Sequence, residues 1–163
     1  MFQDFFEKNG LICDYREGDV LVDCGMVPTH VFLLVSGYVK ASVMTPRGNE
    51  HVLIFYKPGE IFPARWAFTQ IKGNAFYTAI TPVLVRKVPK PIFTEYLLNN
   101  PQELLQAVEY TTRIMDVFVN RVNDMAHLTA YLKVIGRLLS LADRFGKVDV
   151  KGKGILIEIP ITR

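Results

Sequence analysis

Apolar positions in the first half of the chain fall in short runs broken by turn-forming residues. Residues 20–22, 31–35, 38–44, 52–56, 76–80 and 83–88 are rich in β-branched and aromatic side chains, the types that suit a pleated, half-buried surface. Between the runs stand Glu17-Gly18-Asp19, Ser36-Gly37, Pro46-Arg47-Gly48-Asn49 and Lys57-Pro58-Gly59-Glu60. Each supplies Gly, Pro or Asn where a turn requires a positive or a fixed φ. Residues 45–49 join two strand-like runs and predict a hairpin loop. Many short strands at this spacing predict a sandwich or small barrel between about residues 11 and 88.

The period changes near residue 91. Asn100-Pro101-Gln102-Glu103 predicts a helix start, with Asn as the cap, Pro at the first helical position and Glu three residues after the cap. Beyond it Leu105, Val108, Thr112, Met115, Val119, Val122 and Ala126 recur at alternating spacings of three and four. That is a coiled-coil seam roughly three heptads long. Leu104, Ile114, Phe118 and Met125 widen the apolar surface, so one flank can meet a second helix while the other packs on the strands. A lone helix lying on the sheet fits the same pattern. Length favours pairing, because ~25 helical residues extend ~37 Å, beyond the width of one small β domain.

A second helix is expected over about residues 128–145, with Leu128, Tyr131, Leu132, Ile135, Leu138, Leu139 and Ala142 as its apolar stripe. Gly146 stands where a left-handed C-cap is usual. Residues 147–154 read as a loop of Lys and Gly, and residues 155–159 alternate like a strand.

Composition narrows the class. The 163 residues are half hydrophobic and 21% charged, which excludes a disordered tail or a fibrous repeat. A chain of this length buries roughly 70% of its unfolded surface and needs no disulfide or metal to fold. The net charge of +3 is too small to argue for a nucleic-acid surface. The longest apolar runs are about five residues, whereas a membrane span takes about twenty. With no targeting pattern at the N-terminus, a soluble cytoplasmic protein is expected. Cys13 and Cys24 make neither a disulfide framework nor a metal motif, and read as buried or half-buried structural thiols.

Catalytic chemistry has little to build on. His30, His51 and His127 are scattered, without HxH or HExxH spacing, so no metal site is expected. No nucleophile elbow, Walker loop or dinucleotide fingerprint is present. The chain is not expected to be an enzyme.

Four segments in order resemble one family. Residues 15–21 (Tyr-Arg-Glu-Gly-Asp-Val-Leu), 30–40 (His-Val-Phe-Leu-Leu-Val-Ser-Gly-Tyr-Val-Lys), 47–50 (Arg-Gly-Asn-Glu) and 57–62 (Lys-Pro-Gly-Glu-Ile-Phe) are similar to the β-roll of CRP/FNR-type bacterial transcription regulators. The likeness continues through Asn99-Asn100-Pro101, the long helix, Gly136-Arg137-Leu138-Leu139 and Ile159-Pro160-Ile161-Thr162-Arg163.

The resemblance implies an α+β fold: a cyclic-nucleotide-binding-like β-roll (a double-stranded β-helix or jelly-roll), then a long dimerisation helix and a second helix. It implies three regions. These are a sensor domain with flanking short helices (1–98), the dimerisation helix (99–126), and a linker helix with the start of a DNA-binding domain (127–163). In the family the segment resembling Ile159–Arg163 precedes a winged helix-turn-helix, so DNA is an expected partner only if such a motif follows Arg163. The expected dimer interface is the seam of Leu105, Val108, Thr112, Met115, Val119, Val122 and Ala126.

Members that bind cyclic AMP carry a phosphate cassette: a Gly-Glu pair after the Pro-Gly-Glu turn, then an Arg-Ser or Arg-Thr pair. Arg neutralises the phosphate, N–H groups and a hydroxyl hydrogen-bond it, and Glu engages the ribose. Here the first pair reads Pro63-Ala64 and the second aligns with Gly73-Asn74 before Ala75. Carboxylate and guanidinium are both missing at their places, and Pro63 removes an N–H. Candidate ligand contacts are therefore Phe62, Ala64, Arg65, Trp66, Asn74, Ala75 and Phe76. The aromatics Trp66, Phe68, Phe76 and Tyr77 either line an apolar pocket or fill the roll. No cofactor is expected, a cyclic nucleotide is disfavoured, and any small-molecule effector is of unknown identity. The alternative is a stand-alone cyclic-nucleotide- or small-ligand-binding regulatory module without DNA binding.

Overall fold

The computed structural model describes residues 2–127, 129–149 and 152–159, with the backbone alone at 121 and 124–127. The elements run α1 (Gln3–Asn9), β1 (Leu11–Tyr15), β2 (Val20–Val22), β3 (His30–Ser36), β4 (Val39–Met44), β5 (Glu50–Tyr56), β6 (Ile61–Phe62), α2 (Ala64–Ala67), β7 (Phe76–Ala79), β8 (Val83–Pro89), α3 (Lys90–Asn99), α4 (Pro101–His127), α5 (Ala130–Phe145), β9 (Gly146–Val148) and β10 (Ile155–Ile157). The α+β architecture agrees with the pattern of short strands followed by long helices. The described residues up to Thr111 form one compact unit and those from Thr112 onward a second.

In the first unit, two antiparallel four-stranded sheets make the roll, ordered β1-β8-β3-β6 and β2-β7-β4-β5. Alternation along β3 decides which side chain faces where. Val31 and Leu33 join a cluster with Phe6, Ile61, Val88, Phe93, Leu97 and Ala107, on the side covered by α1, α3 and the start of α4. Phe32 stacks on Phe62 in the roll interior. The expected hairpin is present: β4 and β5 pair from Met44↔Glu50 to Val39↔Tyr56. Its loop is closed by the Thr45 N–H on the Asn49 carbonyl (2.9 Å).

Short elements escaped the sequence pattern. Helix α1 has seven residues, too few to hold by itself in water. It is held by rings: Phe5 stacks on Tyr96 at 4.0 Å and Phe2 meets Phe93 edge-on at 5.5 Å. Strands β1 and β6 become strands only through their partners, β8 and β3.

The start of α4 departs from the expected capping box. The Asn100 N–H donates to the Leu97 carbonyl (3.1 Å), and its side-chain amide donates to the Tyr96 carbonyl (2.8 Å). Helix α3 ends at Asn99, so its orphan carbonyls take the two Asn100 donors, while the Asn100 carbonyl accepts from the Leu104 N–H (3.0 Å) to open α4. The buried Glu103 Oε2 has no hydrogen-bond partner among the described residues.

In the second unit, α5 is capped by Thr129, whose side chain accepts from the Leu132 N–H. Gly146 is not a left-handed cap: its φ of −71° and ψ of 137° lead straight into β9. Glycine is needed there for close approach, because a Cβ would stand 2.1 Å from the Ala142 carbonyl oxygen and 2.4 Å from Ile155 Cγ2. The expected 147–154 loop is correspondingly shorter, since Gly146–Val148 pairs antiparallel with Ile155–Ile157. Tyr131, Leu132, Leu138 and Leu139 of the α5 stripe are exposed. Leu128 and Ile159–Arg163 hold expectations that lie wholly or partly outside the described residues. No helix among the described residues is long and apolar enough to cross a membrane.

Candidate functional site

The cassette of the first unit runs from the Pro58-Gly59-Glu60 turn through β6, α2 and residues 68–75 into β7. Gly59 takes φ 87°, and the turn is pinned to β3 by the Gly59 N–H on the Leu34 carbonyl (2.8 Å) and the Leu34 N–H on the Glu60 carbonyl (3.0 Å). The Lys57 N–H adds a bond to the Glu60 carboxylate (3.1 Å).

Beyond the turn, Phe62, Pro63 and Ala64 are buried. Pro63 offers no N–H, and the Trp66 N–H is committed to the Pro63 carbonyl at 3.1 Å. The segment therefore offers a phosphate neither an N–H at Pro63 nor the one at Trp66. Residues 68–75 are tied down at three points. Gly25 and Gly73 are bridged by an N–H to carbonyl bond of 2.7 Å, the Gly73 N–H reaches the Met26 carbonyl at 2.8 Å, and the Lys90 ammonium donates to the Thr69 carbonyl. Lys90 is buried at the start of α3, and this burial lowers its pKa.

The structure brings two of the candidate ligand residues together on the outside. The Arg65 Nη2 donates to Asn74 Oδ1 at 3.2 Å, and its guanidinium lies 4.4 Å from the centre of the Trp66 ring. Arg65 and Asn74 are exposed, whereas Trp66 and Ala75 are buried. Phe76 alternates to the face opposite Tyr77 and is half-buried.

Tyr77, one of the aromatics expected to line a pocket or fill the roll, takes the interior position, with Phe32 and Tyr56. The Phe62 ring is the hub: it stacks on Phe32 at 5.3 Å and on Tyr77 at 5.5 Å, and tilts against Tyr56 at 5.3 Å. Trp66 meets Tyr77 edge-on at 6.1 Å. Burial drives the Tyr77 phenol well above its ordinary pKa, reinforced by the neighbouring Tyr56 and opposed by Arg65. The period-two alternation of residues 76–79 signals that one of the two neighbouring aromatics points inward. Which one depends on pairing register with β4, where Ala41 lies opposite Tyr77.

The long helix has two faces. Ala107 is buried, and Leu104 and Tyr110 pack against the helix-side core. On the other face Leu105, Val108, Met115, Val119 and Val122 are 50–67% exposed, and Thr112 is exposed with them. These are the residues of the expected seam; the side chain of Ala126 lies outside the described residues.

An open cleft of about 690 Å³ elsewhere on the roll is lined by Asp14, Arg16, Glu17, Asp19 and Ser36 among others, none of them a candidate. Cys13 is half-buried, but Cys24 is exposed on the loop after β2, which corrects the expectation that both thiols are at least half-buried. Among the described residues no group of three or more His, Cys, Asp or Glu side chains is placed to hold a metal.

Comparison with known proteins places these features. The model of the cyclic nucleotide-binding domain matches residues 12–100. The HTH-type transcriptional regulator ArcR of Staphylococcus haemolyticus is 29% identical over 99 residues, covering 61% of this chain and 43% of that protein. The CRP-like cAMP-activated global transcriptional regulator of Mycobacterium tuberculosis is 23% identical over 133 residues, covering 82% of this chain and 59% of that one. A solved structure of a CooA mutant from Carboxydothermus hydrogenoformans shares the fold with a TM-score of 0.74 at 19% identity, covering 94% of this chain and 65% of that one. The chain spans about half the length of the curated relatives it matches.

Proposed function

The chain belongs to the cyclic nucleotide-binding domain family, and from that premise we propose that it is the sensing and dimerisation part of a CRP/FNR-type transcription regulator. The observation that carries this reading is the exposed apolar seam of the 27-residue helix α4, which follows the roll and α3. Five large apolar side chains on one stripe are costly to leave in water. A second copy presenting the same stripe would cover them in coiled-coil fashion. Similarity to regulators such as ArcR supports assigning the paired helices to transcription control in the cytoplasm. DNA is a partner in this reading only if a helix-turn-helix follows Arg163.

The roll is proposed not to take cyclic AMP in the usual way. Ala64 supplies no carboxylate, Pro63 no N–H and Ala75 no hydroxyl, while the nearby Arg65 engages Asn74 and the Trp66 face. The interior beside them is occupied by protein rings. An effector, if one acts, changes the relative population of two helix poses by binding one better than the other.

Sedimentation tests the reading. Wild type should run as a dimer at roughly ten micromolar, and Met115→Glu, which sets like charges across the seam, should run as a monomer. A monomeric wild type at that concentration overturns it.

A further inference from the structure

The two residues of β6 face opposite sides of their sheet. Ile61 lies across from Leu33 and Phe62 across from Phe32. Ile61 and Leu33 belong to the core cluster shared with α1, α3 and the start of α4. Phe62 is the hub of the ring stack inside the roll, touching Phe32, Tyr56 and Tyr77. Any rearrangement of those rings has to move Phe62, and a strand of two residues has little length in which to absorb the shift.

Strand β6 is also the outermost of its sheet, so the carbonyls on its far edge have no ladder partner. The Leu34 N–H bonds to the Glu60 carbonyl. By the alternation of an antiparallel ladder, the next carbonyl along, that of Ile61, points away from β3. There it meets α4: the Tyr110 hydroxyl donates to it at 3.0 Å. Ile61 is only 1% exposed, so water is a poor substitute for that hydroxyl.

We propose that β6 and Tyr110 form a link by which the ring stack of the roll positions the start of α4, the Ile61 carbonyl passing each shift of Phe62 to the Tyr110 hydroxyl. The link deepens the sensing reading above and rests on it. It names the residues by which a change in the roll interior reaches the helix, and Tyr110 is their positioning residue.

Amide hydrogen exchange on the full chain tests it through a double-mutant cycle. Phe32→Leu opens a hole in the stack; Tyr110→Phe removes the hydroxyl and keeps the ring. Each should speed exchange over residues 104–111 by about fivefold relative to residues 83–88, the magnitude of one lost hydrogen bond. The two together should do no more than one. Effects that multiply, or a Phe32→Leu protein with unchanged exchange over 104–111, overturn the link. Tyr77→Phe, which removes the buried hydroxyl beside Tyr56 and keeps the ring, is the second stack variant under the same criterion, so an unfolded Phe32→Leu protein does not suspend the test. Sedimentation of the same proteins reports helix pairing separately. A monomeric wild type would sink the dimer reading, while the exchange cycle alone decides the link.

Discussion

Gly37 and Gly48 have nearly the same backbone, φ 83° and 79°, and different surroundings. A Cβ on Gly37 would stand 2.2 Å from the Pro82 carbonyl oxygen, whereas one on Gly48 would meet nothing within 4 Å. Gly48→Ala should therefore lose only the left-handed penalty, about 1 kcal/mol. Gly37→Ala adds a steric clash against backbone and should lose about 2–4 kcal/mol. Urea unfolding of the two variants measures the gap. Tyr77 gives a pH prediction. Its folded-state pKa lies above the ordinary 10.0 because of burial, so above that pH the unfolded chain releases a proton that the folded chain keeps. Folding then binds more protons than unfolding, and stability is lost as the pH rises past 10. Tyr77→Phe should show a smaller loss than wild type between roughly pH 9.5 and 11. At this scale the sequence was half legible. Glycines at turns announce themselves by type, but the inward ring of the Phe76-Tyr77 pair does not, because a shift of one residue in register exchanges the two.

Helix α4 shows how much an element can reveal on its own. Its spacing of three and four distinguishes the seam of Leu105, Val108, Met115, Val119 and Val122 from the face of Leu104, Ala107 and Tyr110, and the fold of one chain covers only the latter. Because Met115 is exposed, Met115→Glu should change association while leaving the unfolding free energy of the monomer within about 0.5 kcal/mol. A monomer that melts much earlier would mean that the seam packs within the chain. The ends of elements were less legible. Asn100-Pro101-Gln102-Glu103 reads as the start of one helix, yet Asn100 also closes the previous one: the hydrogen bonds it donates go backwards, while its carbonyl accepts from the Leu104 N–H. Gly146 reads as a C-cap, yet it sits where Ile155 and the Ala142 carbonyl crowd the backbone. In both cases a neighbouring element competed for the same group, and local spacing cannot register such competition.

At the scale of the molecule, the roll keeps the order of a cyclic nucleotide-binding domain while its interior next to the cassette holds rings. Isothermal calorimetry of the chain with cyclic AMP and with cyclic GMP should give no saturable heat at submillimolar ligand. Saturable binding would return the stand-alone nucleotide-binding alternative and refute the proposal that the cassette is unfit for a cyclic phosphate. The expected result follows from chemistry rather than from space alone: an anion brought to Pro63-Ala64 meets no hydroxyl, and no N–H from Pro63, to replace its water.

What the sequence determined by itself was the succession of periods. Runs with a period of two and Gly-Pro turns predict a sandwich or small barrel, and a long three-four repeat predicts a helix with a second face to cover. These are local properties, set by backbone sterics and side-chain type. Tertiary structure decided the rest: that α1 exists because Phe93 and Tyr96 hold its rings, that Tyr77 and not Phe76 enters the roll, and that a buried edge carbonyl of β6 finds its donor on α4. Each of those outcomes depends on groups dozens of residues apart meeting at a few ångströms, and no window along the chain contains both partners.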